Sequence, residues 1–337
     1  MPTTPRTSHV IENLPRRRGI RRAIEMRIME IPLRIGLLVL AAGCAADGAS
    51  EDGSKIEENL RSDGLSAAQS TMWVGADVNK PEASASSWLA QSSKFGPWRV
   101  RRSFNPGLPS NISQSAAAKD AENDIISFLS VKPPTIEGVA KGDYDDSIRS
   151  LAASFPKDHT TYLTMYHEPE NDMSGPTFVK LFQHFYHVAK TANSHIQIGY
   201  VAMSYQWRPG SKSTKNADDW WVGASYTDFL GVDDYNDATT SGRTNAGNDP
   251  AFQRWYDWAK IKGKPLAVVE FGRLENPSDA NARKNDLLAS ETYLRNSGFF
   301  MFLYWHATGT GGVDWRLSDG PTGDAMRTIS SHGRTGW

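Results

Sequence analysis

From position 71 onward the chain alternates between two hydrophobic patterns. Short runs rich in β-branched and aromatic residues occur at 72–78, 98–104, 125–131, 161–166, 196–202, 228–235, 265–271 and 299–305. Several, such as IISFLSV at 125–131 and PLAVVEF at 265–271, are nearly continuous in apolar residues, as strands covered on both faces should be. Between them the period lengthens. Phe178, Phe182, Phe185 and Ala189 form one helical stripe within 176–192, with Leu181 and Val188 beside it. Asp249 as N-cap, Pro250 as first helical residue and Gly263 as terminator predict a helix over 250–262. Ser278 and Gly298 bracket another, over 279–297.

The last five strand starts are 35, 32, 37 and 34 residues apart. That spacing is the repeat of a strand–loop–helix–loop unit, and eight such units close a barrel of roughly 250 residues. The expected fold is therefore α/β, a (β/α)8 TIM barrel occupying 71–337. An open doubly wound sheet is the competing arrangement, but no Gly-rich phosphate loop follows the first strand.

The N-terminal part reads differently. Residues 45–70 are rich in Ala, Asp, Ser, Glu and Gly without a sustained apolar period, the pattern of a flexible linker. Before it, Arg27 and Arg34 precede an apolar run from Ile35 to Gly43 that ends in Ala41-Ala42-Gly43-Cys44. A basic start, a short apolar core and small residues before a break make an export signal over 1–44. The run is too short to span a bilayer as a mature helix. Cys44 directly after the small residues resembles a bacterial lipoprotein signal, whose cysteine is lipidated, although Ala41 stands where Leu is usual. Plain secretion is the second reading, and a cytoplasmic protein with an accidental run the third. The long basic stretch before Met26 makes Met26 or Met29 an alternative start. Cys44 is the single cysteine, so no intrachain disulfide forms.

Charge narrows the partners. Residues 1–43 carry eight Arg and three Glu, leaving a body with 29 basic and 35 acidic residues. A mildly acidic body gives no case for nucleic acid. The 11 Trp residues suit stacking on sugar rings as well as filling a core.

In a (β/α)8 barrel, working residues sit after the C-terminal ends of the strands. Strand four is followed by Tyr166-His167-Glu168-Pro169-Glu170-Asn171-Asp172, and strand six closes on Asp233-Asp234-Tyr235-Asn236. Strand seven closes on Val268-Val269-Glu270-Phe271-Gly272, and strand eight on Tyr304-Trp305-His306. A glutamate ending an apolar strand is expensive unless it is paired. Glu270 is either one half of a rim salt bridge with Arg101 or Arg102, or a carboxylate facing Glu168. Two facing carboxyl groups let one protonate a leaving oxygen while the other attacks an anomeric carbon, with a nearby Arg and Tyr keeping the nucleophile ionised.

These positions resemble clan A glycoside hydrolases, which place an acid/base Glu after strand four and a nucleophile Glu after strand seven. Most of that clan carry Asn before the acid/base; His167 instead resembles family 26, the β-mannanase family. The segment Asp219-Trp220-Trp221 through Tyr226, Phe229, Gly231, Asp233, Tyr235 and Asn236 is similar to the same family. The resemblance implies that Glu168 is acid/base and Glu270 nucleophile. It also implies that Tyr235 hydrogen-bonds the nucleophile, aided by Arg101, and that Trp305 floors the central sugar subsite. The run Pro169-Glu170-Asn171-Asp172 departs from many mannanases, which bears on substrate more than on reaction.

His167, Trp207 and Asp77 complete the expected substrate-binding set, with Trp315 a further loop tryptophan that either stacks on sugar or packs the loop. Glu170 and Asp172 either bind sugar hydroxyls or cap the next helix. The sequence His167-Glu168-Pro169-Glu170-Asn171 is not a zinc-protease motif, because Asn holds the fifth place and Pro interrupts a helix. His184 and His187 read as a surface pair. The expectation is a retaining endo-β-glycanase acting on mannan first, with β-1,3-xylan or mixed-linkage glucan as other substrates. A non-catalytic carbohydrate-binding barrel is the alternative from another class. No metal or organic cofactor is called for, and the protein is expected as a cell-surface or extracellular monomer whose membrane contact is a lipid anchor.

Overall fold

The computed structural model describes residues 72–78, 85–111, 116–207, 216–236, 245–309 and 312–335. The export signal, Cys44 and the linker lie outside the described residues. Eight parallel strands close in sequence order into one barrel: β1 (Trp73–Asp77), β2 (Val100–Asn105), β3 (Ile126–Val131), β4 (Tyr162–Met165), β5 (Gln197–Met203), β6 (Phe229–Asn236), β7 (Leu266–Arg273) and β8 (Met301–Trp305). β1 pairs with β8 through Trp73↔Met301 to Asp77↔Trp305, which completes the ring. All eight strands fall on the expected runs, with ends shifted by one or two residues.

The helices are α1 (Ala85–Phe95), α2 (Ile136–Lys141), α3 (Asp145–Ser154), α4 (Gly175–Ala192), α5 (Pro250–Lys260), α6 (Ala282–Asn296) and α7 (Pro321–Ser331). α5 starts as its sequence dictates, with the Asp249 carboxylate accepting from the amides of Ala251 and Phe252. α6 differs from expectation. Its N-cap is Asn281, not Ser278, because 276–281 are taken up by a turn closed by an Asn276–Asp279 bridge.

Alternation along each strand divides the core in two. Trp73, Val100, Ile126, Phe128, Tyr162, Phe229, Val269 and Leu303 belong to the cluster that fills the barrel. Phe128, Tyr162 and Phe229 meet edge-on or tilted at 5.5–6.0 Å. Emptying one such ring position costs about 3–5 kcal/mol. The other set, including Val74, Leu163, Ile198, Val268 and Phe302, packs outward with Phe178, Phe182, Phe185 and Ala189 of the α4 stripe. The filled barrel is a rigid plug beneath the open face.

Two irregularities at that face aim side chains. β7 carries one more residue than its neighbours: Val232 faces Val268 but Asp233 faces Glu270, and Val268 faces Phe302 while Phe271 faces Tyr304. Strict alternation after Val269 would send Glu270 outward; the bulge turns it back into the barrel mouth. After β4, Tyr166 and Glu168 adopt left-handed φ values of 49° and 55°. This backbone is costly for non-glycine residues and characteristic of functional sites. Bonds from the Tyr166 hydroxyl to Pro133 O (2.6 Å) and from Glu168 N to Val201 O (3.1 Å) hold it.

Candidate active site

The strand ends converge on a cleft of about 680 Å³ whose lining includes Phe104, His167, Glu168, Tyr235, Glu270 and Trp305. Its charged centre is built on Arg102. Val100 and Phe104 flank it at period two and share its inward face, so the β2 pleat points Arg102 into the mouth. Its Nη1 lies 2.9 Å from Asp233 Oδ1 and its Nη2 3.0 Å from Glu270 Oε1, all three side chains being buried. The Tyr235 hydroxyl donates to the other Glu270 oxygen. Phe104 and Phe128 lie 4.9 and 5.1 Å from the guanidinium carbon.

The arginine serving Glu270 is therefore Arg102 and not Arg101. The pleat turns Arg101 to the outside of the barrel, where it meets Asp120 at 3.0 Å. The expected salt bridge and the expected carboxylate pair are both present, since Glu270 faces Arg102 and Glu168 together.

Glu168, Asp233 and Glu270 each offer an oxygen within 4.8 Å of the others. Their surroundings separate them. Burial, then the charge of Glu270, pushes Glu168 up to about 8. Burial raises Asp233 well above the carboxylate range, with Glu270 and Glu168 adding to the effect and Arg102 opposing it. Glu270 is also raised by burial, but Arg102 and hydrogen bonds from Tyr235 and Asp233 pull it back. Three carboxyls near one guanidinium titrate as a coupled set, and at Glu270 the Arg102 charge and the Tyr235 hydroxyl oppose the rise that burial causes. Glu168, at about 8, then holds a proton at neutral pH. Among the described residues this is the one cluster of possible metal ligands close enough to share an ion. Arg102 already supplies the positive charge between two of its members.

The remaining expected residues separate into those at the cleft and those away from it. His167 lines it edge-on to Phe104 at 5.0 Å, and burial lowers its imidazole well below the usual value, so it is neutral. Trp305 lines it too, 5.6 Å from Phe104 and 6.3 Å from Tyr235. Trp315 lines it as well, 5.2 Å from Tyr235. Asp77 points inward from β1 but is 3% exposed and lies under the cleft rather than along it. Burial and the charge of Glu270 raise it well above the normal carboxylate value. Trp207 is not at the cleft; it packs on Trp258 at 5.4 Å, within an aromatic group that includes Trp221. Asp172 pairs with Lys132 at 2.6 Å, and buried Glu170 accepts from Met203 N at 3.3 Å. His184 bonds to Asp145 at 2.7 Å.

Asp233 is the member of the charged centre that the sequence reading left without a role. The signal for it was parity: it lies two residues before Tyr235 on one strand, so both project inward.

No protein-family profile matches the chain, and no curated protein does. Solved structures share its fold. An endo-β-1,4-glucanase from Xanthomonas axonopodis pv. citri, a triple mutant, is 15% identical with a TM-score of 0.56, covering 77% of this chain and 98% of its own. An endo-β-1,4-mannanase from Thermotoga petrophila is 12% identical with a TM-score of 0.54, covering 78% and 77%. A family 39 glycoside hydrolase from Bacteroides cellulosilyticus is 14% identical with a TM-score of 0.57, covering 78% and 64%. These fold neighbours are clan A glycoside hydrolases; at this identity the likeness concerns the barrel.

Proposed function

We propose that the chain is a retaining β-glycan hydrolase with Glu168 as acid/base and Glu270 as nucleophile. The observation that carries this reading is two carboxyls with oxygens within 4.8 Å of each other in different surroundings: burial and the Glu270 charge push Glu168 up to about 8, while Arg102 and Tyr235 oppose the rise at Glu270. Glu168 gives its proton to the glycosidic oxygen as that bond breaks. Glu270, oriented by Arg102 and Tyr235, attacks the anomeric carbon and forms a glycosyl ester. Esterification removes the negative charge that helps keep Glu168 protonated, so the affinity of Glu168 for a proton drops. It becomes the base that draws a proton from water, and water hydrolyses the ester.

Mannan is the first substrate. His167 before Glu168 supports it, and a mannanase stands among the fold neighbours. β-1,4-Glucan ranks next, on the glucanase neighbours. Cys44 would anchor the enzyme at the cell surface, which the Arg-flanked apolar run ending at that cysteine supports.

The test is reducing-sugar release from galactomannan, glucomannan, carboxymethylcellulose, barley β-glucan and β-1,3-xylan, with the Glu270→Ala variant alongside. Wild type should cleave at least one, and Glu270→Ala none. Azide should then restore cleavage of a dinitrophenyl glycoside by Glu270→Ala, giving a glycosyl azide of inverted configuration. Binding of a polysaccharide without any cleavage would favour the non-catalytic sugar-binding barrel.

A further inference from the structure

Beside Tyr235, the segment after β8 forms one wall of the cleft with Thr308, Gly309, Val313 and Trp315, and one buried side chain helps fasten it. Arg283, in the first turn of α6, is 2% exposed. Its Nη2 donates to Tyr304 Oη and Trp315 O, both at 2.5 Å, and to Arg316 O at 2.8 Å. The Tyr304 hydroxyl also donates to Trp315 O, at 2.7 Å. His306 Nδ1 accepts from Leu317 N at 2.9 Å. The outer side of this segment faces a second cavity of about 650 Å³, lined by Glu275, Arg283, His306 and Leu317 among others. Backbone bonds from Trp315 N to Ala307 O (3.1 Å) and Gly309 N to Val313 O (2.7 Å) close the segment on itself, and the Arg283 ties fix it against α6.

What the segment carries is Trp315. Its ring stands 5.2 Å from that of Tyr235. Tyr235 also lies so close to Gly272 that a Cβ there would come within 2.4 Å of the ring, and within 3.0 Å of Trp315. Gly272, Trp305 and Trp315 thus confine the phenol that donates to Glu270.

Resting on the proposed glycosidase reading, we infer that Arg283 is a positioning residue for the nucleophile, acting through Trp315 and Tyr235. It fixes two successive backbone carbonyls, and that fixes the indole that keeps the phenol aimed at Glu270. The other arm of Arg283, Nη1, pairs with Glu275 Oε1 at 3.3 Å, and a lysine, with one nitrogen, cannot hold Glu275 and the two carbonyls in the same planar fork. Loosening Arg283 should therefore act like partial loss of the Tyr235 hydrogen bond, even though Arg283 never meets substrate.

The readout is the acidic limb of kcat/KM, where activity falls as Glu270 gains a proton. The groups facing Glu270 are Arg102 from β2, Asp233 and Tyr235 from β6, Glu168 after β4 and Asp77 from β1. Only the Tyr235 contact should change. Arg283→Lys and, as a variant that leaves the buried charge alone, Trp315→Phe should each shift that limb upward by about half a pH unit or more. Arg283→Lys, which does not touch the cleft, should also lower kcat by about tenfold or more while KM changes little. Adding Arg283→Lys to Tyr235→Phe should cost almost nothing further, because both act on one hydrogen bond.

An unshifted limb in both variants, or fully additive losses in the double variant, overturns the inference and leaves Arg283 a stabilising residue only. If wild type cleaves nothing, the glycosidase reading fails first. The inference is then read by carboxyl ¹³C NMR titration, with Glu270 assigned through Glu270→Gln. An unchanged Glu270 titration in Arg283→Lys overturns it there too.

Discussion

Arg102 Nη2 lies 3.0 Å from Glu270 Oε1, while the other arm of the same guanidinium holds Asp233 at 2.9 Å. One cation thus serves two buried acids, and its charge favours the ionised form of Glu270 against the burial that disfavours it. Among the described residues, Arg102→Met removes the only guanidinium in contact with both. Turnover should fall by about a hundredfold or more. Stability at pH 7 should fall by about 3–5 kcal/mol, since buried carboxyls lose their counter-ion. The loss should shrink toward pH 4, where those carboxyls are neutral without help. Denaturant unfolding at both pH values checks this; equal losses would mean the arginine matters for packing alone.

Glu168 supplies a prediction in the opposite direction. Its folded value of about 8 stands above the ordinary 4.5, so ionising it opposes folding. Stability from this group is complete below about pH 4.5 and is lost as pH rises through 8. Glu168→Gln should be no more stable than wild type at pH 4 and more stable at pH 8.5, by about 1–2 kcal/mol given its partial exposure. Activity on unactivated polysaccharide should collapse in the same variant. A gain of equal size at both pH values would show that charge is not its source.

Trp305 and Trp207, both expected at the sugar site, should now part company. Trp305 lines the cleft between Phe104 and Tyr235. Trp305→Ala should lower polysaccharide turnover by about a hundredfold with a modest change in melting temperature. Trp207 packs on Trp258 away from the cleft. Trp207→Ala should cost stability, about 2 kcal/mol or more, and leave turnover per folded molecule near wild type. Reversal of this pattern would move the sugar platform to Trp207.

The difference between these two residues marks where sequence is readable. Strand runs are buried on both faces, so their composition alone locates eight strands, and strand order then puts Glu168 and Glu270 on one rim. Choosing Arg102 over Arg101 needed only parity with inward Val100, information that was present in the chain. Glu270 is different. Parity from Ala267 and Val269 points it outward, and only the extra residue in β7, visible as mismatched register with both β6 and β8, turns it in. A bulge is a property of three paired strands, and no local pattern in one of them encodes it. Trp207 was misplaced for a related reason: its partner Trp258 is 51 residues away on α5, and loop tryptophans look alike until their neighbours are known.

The last prediction ties carboxyl spacing to stereochemistry. Inverting glycosidases keep their carboxyls about 6.5–9.5 Å apart so that water fits beneath the sugar, whereas retaining ones hold them at about 5–5.5 Å. Glu168 and Glu270 have oxygens within 4.8 Å, nearer the retaining than the inverting spacing, and on the proposed reading Glu270 then attacks the anomeric carbon directly. The first-formed product should therefore keep the substrate's anomeric configuration, as proton NMR in the first minutes of cleavage would read. The rate should also carry a basic limb near the Glu168 value of about 8, because an unactivated leaving oxygen needs its proton. A dinitrophenyl leaving group does not, so the limb should vanish for glycosylation with that substrate. Glu168→Ala should then release dinitrophenolate in a burst and stall as the glycosyl ester on Glu270, detectable as added mass on the intact protein. An inverted first product, or a stalled ester carried by a residue other than Glu270, would reassign the pair.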